Sequence, residues 1–310
     1  MQNRRQFLKK SIASIALHSF ASTNIFAKQV VAENLCILHT NDVHSRIEPF
    51  PENDKKYPNM GGAAMRSSII NKIREKNEQT LLLDAGDIFQ GTPYFNFFNG
   101  NIEIDLMNAM GYDCATIGNH DFDGGIENLY NQINRANFPF VNCNYDFSKT
   151  ILAGKIHQHV IIQKGKLKIG ITGCGVELDG LVPDKLCSNV GYYHPVELIQ
   201  KQVDILKYEK KCDIIIILSH LGYKYDNNKI SDIKLAQQTN NIDVILGGHT
   251  HTFLEQAEII KNKENKEVLI NQVGWAGLFL GKIDINFEKK SRKKQIKSHI
   301  VIIRKNTSAN

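Results

Sequence analysis

No stretch inside the 310-residue chain approaches the roughly 18 apolar residues that a membrane-spanning helix needs, so no internal span is expected. Strong charge of either sign is also missing. The formal net charge is +6, much of it in the first ten residues and near the C-terminus, which gives little support to a nucleic-acid surface. There is no Pro- or Ser-rich linker and no internal repeat. No two of the six cysteines (Cys36, Cys114, Cys143, Cys174, Cys187 and Cys212) stand at C-x-x-C spacing, which disfavours a zinc knuckle or a thioredoxin-like motif. Most of them lie in or beside apolar runs and read as small buried residues, although export would permit disulfides. What remains is 42% hydrophobic and 23% charged, ordinary for a globular protein. One domain over about 33–304, with a polar tail at 305–310, is the economical organisation.

The first 32 residues read differently. Asn3-Arg4-Arg5-Gln6-Phe7-Leu8-Lys9-Lys10 is basic, and a moderately apolar run from Ser11 to Ala27 follows. This is the pattern of an export signal, and the Arg4-Arg5-Gln6-Phe7-Leu8-Lys9 order resembles the bacterial twin-arginine signal. The mature chain is therefore expected in the periplasm or cell envelope, with no membrane partner.

Apolar runs of strand length recur at Leu35–Leu38, Leu81–Leu83, Ala115–Ile117, Phe138–Val141, Val160–Ile162, Leu167–Ile171, Ile214–Leu218, Val244–Leu246, Val268–Ile270, Leu278–Phe287 and Ile300–Ile303. Helical spacing marks Met65–Ile73, Ile126–Ile133 and Val196–Leu206. Strands alternating with helices imply an α/β fold with largely parallel pairing. The segments from Val268 onward lie close together without helices between them and suit antiparallel hairpins. The basic Lys289–Lys294 run reads as a solvated hairpin turn, and His157 and His159 as ordinary residues on a half-exposed strand.

Polar residues gather just after five of these runs. They are His39-Thr40-Asn41-Asp42-Val43-His44, Asp84-Ala85-Gly86-Asp87, Gly118-Asn119-His120-Asp121-Phe122-Asp123, Ser219-His220 and Gly247-Gly248-His249-Thr250-His251. In open α/β sheets the carboxyl ends of the strands line the binding crevice, so five strands deliver Asp, Asn and His to one edge. Imidazole, carboxylate and amide without thiolate suit Zn, Mn, Fe or Co. Asp42 and His44, like His249 and His251, are spaced by two, which on extended backbone projects side chains to one side. A carboxylate such as Asp87 can bridge two cations. Two metals roughly 3.5–4 Å apart can hold a hydroxide nucleophile and stabilise in-line displacement at phosphorus. Gly118, Gly124 and Gly125 are expected to supply the backbone freedom of the third cluster.

These five clusters match the calcineurin-like metallophosphoesterases in order and spacing. With Leu38–His44 and Gly61-Gly62-Ala63-Ala64 added, the chain resembles the bacterial 5′-nucleotidase branch. The resemblance implies a four-layer α/β/β/α sandwich with a dimetal site between the sheets. It implies a first metal on Asp42, His44, Asp87 and His251, and a second on Asp87, Asn119, His220 and His249. It assigns His120 to the substrate and leaving group, oriented by Asp123. The implied reaction is phosphomonoester hydrolysis, most directly of nucleoside 5′-monophosphates. Alternatives on the same scaffold are a 2′,3′-cyclic nucleotide phosphodiesterase, a sulfur-oxidation thiosulfohydrolase, or a subunit that depends on a separate substrate-binding chain. Ser45 stands where the family usually has Gly, and Asp121 where this branch usually has Glu. The chain also ends at Asn310 without room for the second, base-stacking domain of the bacterial enzymes. A separate chain supplying that domain, or lower selectivity, is the corresponding expectation.

Overall fold

The computed structural model describes residues 32–288, 291 and 293–304. Residues 1–31 of the export-signal segment, the polar tail, and Lys289, Lys290 and Arg292 of the basic turn lie outside the described residues. In chain order the elements are β1 (Ala32–Thr40), α1 (Ala63–Arg74), β2 (Thr80–Asp84), α2 (Pro93–Phe98), α3 (Asn101–Met110), β3 (Cys114–Ala115), α4 (Gly125–Arg135), β4 (Tyr145–Asp146), β5 (His159–Lys164), β6 (Leu167–Gly175), β7 (Gly191–Tyr192), α5 (Pro195–Asp204), β8 (Ile214–His220), α6 (Asp232–Gln238), β9 (Val244–Gly247), β10 (Glu258–Lys261), β11 (Glu267–Asn271), β12 (Phe279–Glu288) and β13 (Lys293–Ile302).

The strands form two main sheets, ordered β13-β12-β1-β2-β3 and β10-β11-β9-β8-β6-β5. Both have parallel centres. β1 pairs parallel with β2, and β2 with β3; β6, β8, β9 and β11 pair parallel in turn. Antiparallel partners close the edges, as β12 with β13, β10 with β11, and β5 with β6.

The apolar runs explain the layering. Successive side chains of a strand point to opposite faces. On β1, Leu35 and Ile37 face the second sheet, while Cys36 and Leu38 face a core shared with α1, α3 and α4. On β8, Ile214, Ile216 and Leu218 enter the inter-sheet core, while Ile215 and Ile217 meet residues of α5 and α6. Both strands are thus buried on both faces, as continuous apolar strands must be. Helices, sheet, sheet and helices make the four layers of an α/β/β/α sandwich.

Two local expectations change. Phe138–Val141 is not a strand; only Phe140 and Val141 pair, through the isolated bridges Ala115↔Phe140 and Val141↔His157. The Val268 segment does not begin an all-antiparallel end: β11 lies parallel to β9. Its carboxyl end therefore joins the same edge as those of β8 and β9.

Candidate metal centre

The carboxyl ends of β1, β2 and β3 in one sheet, and of β8 and β9 in the other, carry the polar clusters. Asp42 and His44 follow β1, Asp87 follows β2, and Asn119, His120 and Asp123 follow β3. His220 is the last residue of β8, and His249 and His251 follow β9. Asp42, His44 and His251 bring one ligand atom each to within 4.8 Å of one another, and Asp87, His220 and His249 form a second such group. His44 Nε2 lies 3.0 Å from His251 Nε2 and 3.8 Å from Asp87 Oδ2. His251 Nε2 is 3.3 Å from Asp42 Oδ1. His220 Nε2 is 3.1 Å from Asp87 Oδ2, and His249 Nδ1 is 2.8 Å from Asn119 Oδ1. Asp87 thus touches both groups.

The backbone reaches this arrangement in an unexpected way. Asp42, His44, Asp87, His249 and His251 all have φ between 49° and 74°, in the left-handed region that non-glycine residues seldom adopt, Asn, Asp and His more often than the rest. The spacing of two is therefore not read on extended backbone, and His249 and His251 turn to different groups. Such conformations cost of order 1–3 kcal/mol each and cluster at functional sites. Of the three glycines after β3, only Gly125 has a positive φ. Gly118 is required by close approach instead, because a Cβ there would sit 2.1 Å from Asp87 Oδ1.

The donor set fits cations. His220 Nδ1 donates to Ala85 O at 2.7 Å, and His44 Nδ1 to Phe89 O at 3.3 Å. Each bond leaves the lone pair of Nε2 aimed at a carboxylate or another imidazole. His220 Nε2 is buried and without a well-formed hydrogen bond. Burial opposes charge on His220, yet the Asp87 and Asp42 carboxylates outweigh it and raise this imidazole to about 10. Burial tends to raise Asp87, but the facing His220 and His44 hold it well below the usual carboxylate range. The cluster therefore favours positive charge between its carboxylates, which is what a bound metal provides. Burial keeps His44 below its ordinary value, and burial with the neighbouring His220 takes His249 down to about 3. Neutral imidazole is the form that ligates.

His120 stands apart from both groups. Its Nδ1 donates to Asp123 Oδ2 at 2.8 Å, and its side chain is 37% exposed. Its ring packs edge-on to His44, with centroids 5.2 Å apart. The hydrogen bond to Asp123 raises its basicity, against partial burial.

Four residues that the sequence pattern leaves without a role brace this geometry. Asn41 Nδ2 donates to Asp42 Oδ2 at 2.6 Å, and the N–H of His249 donates to the same carboxylate at 3.0 Å. Asp121 accepts from the backbone N–H groups of Gly118, Asp87, Ile88 and Phe89. Burial and Asp87 push its carboxyl up to about 7, although those four donors favour its ionised form. Gln272 Nε2 donates to Gly248 O at 2.6 Å, and its Oε1 accepts from Thr250 Oγ1 at 3.0 Å and from the Thr252 N–H. Trp275 stacks on His251. Gln272 and Trp275 follow β11, and reading that strand as parallel was the signal that would have found them.

Residues 36–253 match the calcineurin-like phosphoesterase family. The chain is 30% identical over 302 residues to the trifunctional nucleotide phosphoesterase protein YfkN of Bacillus subtilis, covering 87% of this chain and 19% of that protein. It is 32% identical over 298 residues to the snake venom 5′-nucleotidase of Gloydius brevicauda, covering 88% of this chain and 49% of that protein. It superposes on the crystal structure of a 5′-nucleotidase precursor from Thermus thermophilus with a TM-score of 0.79 and 30% identity, covering 88% of this chain and 55% of that one. The chain thus spans about half the length of the latter two and a fifth of the first. Two sheets that meet at a cluster of convergent Asp and His ligands, together with the match over residues 36–253, place the chain in the calcineurin-like phosphoesterase family.

Proposed function

We propose that this chain is a dimetal phosphomonoesterase whose substrates are nucleoside 5′-monophosphates. The observation that carries the reading is the pair of ligand groups, Asp42–His44–His251 and Asp87–His220–His249, which meet at Asp87. In this reading the first metal position is Asp42, His44, Asp87 and His251, and the second is Asp87, Asn119, His220 and His249. When bound, the two cations supply positive charge to the phosphoryl oxygens and activate the attacking water. Zn, Mn, Fe and Co all suit these donors. Asp87 offsets the repulsion between the two positions. Asn119, a neutral ligand, limits the negative charge of the second.

His120 performs the proton work. Asp123 fixes its tautomer and its plane through Nδ1, which leaves Nε2 to meet the leaving-group oxygen. A carboxylate-held imidazole with raised basicity carries a proton that it can give to the departing alkoxide. The choice of nucleotide substrates is supported by the similarity to the venom 5′-nucleotidase and the Thermus thermophilus 5′-nucleotidase precursor. The catalytic unit is taken as 33–304, with 1–32 as an export signal that delivers it to the periplasm or cell envelope.

The test is a substrate panel. The purified full chain, loaded with Mn or Zn, is assayed on AMP, an aryl phosphate and a 2′,3′-cyclic nucleotide. Release of phosphate from AMP and the aryl phosphate, exceeding hydrolysis of the cyclic nucleotide, is expected. No turnover of any substrate with both metals bound overturns the reading.

A further inference from the structure

Trp275 lies beside the metal centre and has no part in the mechanism above. It is the chain's one tryptophan. Its indole lies nearly parallel to the imidazole of His251 and stacked on it, at 9° with centroids 5.8 Å apart. His251 needs such support. His44 and His220 each anchor Nδ1 on a backbone carbonyl, which is the usual way a ligating imidazole is oriented. Among the described residues His251 makes no such bond, and its side chain is 40% exposed.

The loop that carries Trp275 is itself fixed to the first ligand. Val273 N donates to Asn41 Oδ1 at 2.9 Å, Asn41 Nδ2 donates to Gly274 O at 2.7 Å, and Ala276 N donates to Asp42 O at 2.7 Å. Gly274, Ala276 and Gly277 adopt left-handed backbone to make this turn. Phe50 meets the indole edge-on, at 6.0 Å and 79°, and Trp275 packs on the small core of Phe50, Met60, Ala276 and Leu278. The ring that abuts His251 is therefore held on the same segment that supplies Asp42.

We propose that Trp275 is a positioning residue. Its indole sets the plane of His251 and so governs the affinity of the Asp42–His44–His251 metal position. The inference rests on the metal-centre reading above.

The full chain is stripped with chelator and titrated calorimetrically with Mn²⁺. Wild type is expected to take up two ions. Trp275→Leu should weaken one of the two by roughly tenfold or more, the scale of a lost orienting partner, while Trp275→Phe, which keeps a stacking ring, stays within about threefold. In a His251→Ala background Trp275→Leu should cost nothing further, because a residue acting through His251 is not additive with its removal. Wild-type emission of this sole tryptophan should also change as metal binds. Wild-type affinity at both positions in Trp275→Leu, an undiminished effect in the His251→Ala background, or unchanged emission on metal uptake each overturns the proposal. Failure of the wild type to bind metal instead overturns the metal-centre reading beneath it.

Discussion

Asp121 gathers four backbone N–H groups from two loops, and so holds Asp87 in its left-handed turn against Gly118. Read from the sequence, it belonged only to the turn. Its hydrogen bonds reach 32 to 34 positions back along the chain to Asp87, Ile88 and Phe89, and no spacing rule sees such contacts. The same holds for Asn41 and Gly274, 233 positions apart. The candidate ligands were legible because their chemistry is unusual at strand ends; the bracing residues were not, because Asn, Gln and Trp are ordinary there. Asp121→Ala should leave buried donors unpaired, at about 1–3 kcal/mol for each one that water cannot reach, and lower stability by more than about 3 kcal/mol in a denaturant titration. A wild-type midpoint would contradict this role. His120→Asn removes the proposed proton donor while leaving every candidate ligand in place. Turnover should fall about 100-fold or more with metal content retained, as read by metal analysis beside the assay. Loss of metal instead would mean that His120 is a ligand.

At the scale of elements, β1 and β12 are neighbours in the first sheet, and they meet through His39 and Gly281. A Cβ at Gly281 would lie 2.0 Å from His39 Nε2, so the imidazole lies flush on the glycine backbone. His39 belongs to the first polar run of the sequence, but the sandwich buries it fully, with neither ring nitrogen hydrogen-bonded. Burial lowers its pKa from 6.5 to about 3. The unfolded chain therefore binds a proton that the folded chain refuses. Stability is intact above about pH 6.5 and is lost as pH falls toward 3, by up to about 5 kcal/mol. His39→Leu, close in volume and apolar, should move the acid-unfolding midpoint to lower pH; an unchanged midpoint would show that His39 is not a source of acid sensitivity. Most of the sandwich was legible, because the continuous burial of β1 and β8 follows from their apolar runs. The direction of β11 was not. Its apolar pattern is the same whether its neighbour runs parallel or antiparallel, and only the pairing with β9 puts Gln272 and Trp275 at the site edge.

At the scale of the whole molecule, the candidate ligands come from both sheets: Asp42, His44, Asp87 and Asn119 from one, His220, His249 and His251 from the other. Bound cations would tie the two sheets together at their carboxyl edge. Any ligand that binds only the folded state stabilises it, by about 2.7 kcal/mol at a hundredfold excess over Kd. Chelation should accordingly lower Tm by several degrees, and readdition of metal should restore it; a Tm indifferent to chelator would argue against ions at this junction. Among the described residues no helix is long and apolar enough to cross a membrane. In the proposed function, phosphomonoester hydrolysis depends on two ions per chain. The most direct test of this dependence is AMP hydrolysis by the chelator-stripped full chain during a stoichiometric Mn²⁺ titration. Negligible turnover without metal, and a maximum only when two ions are bound per chain, are expected. Undiminished turnover in the stripped chain, or full activity at one ion, would contradict it.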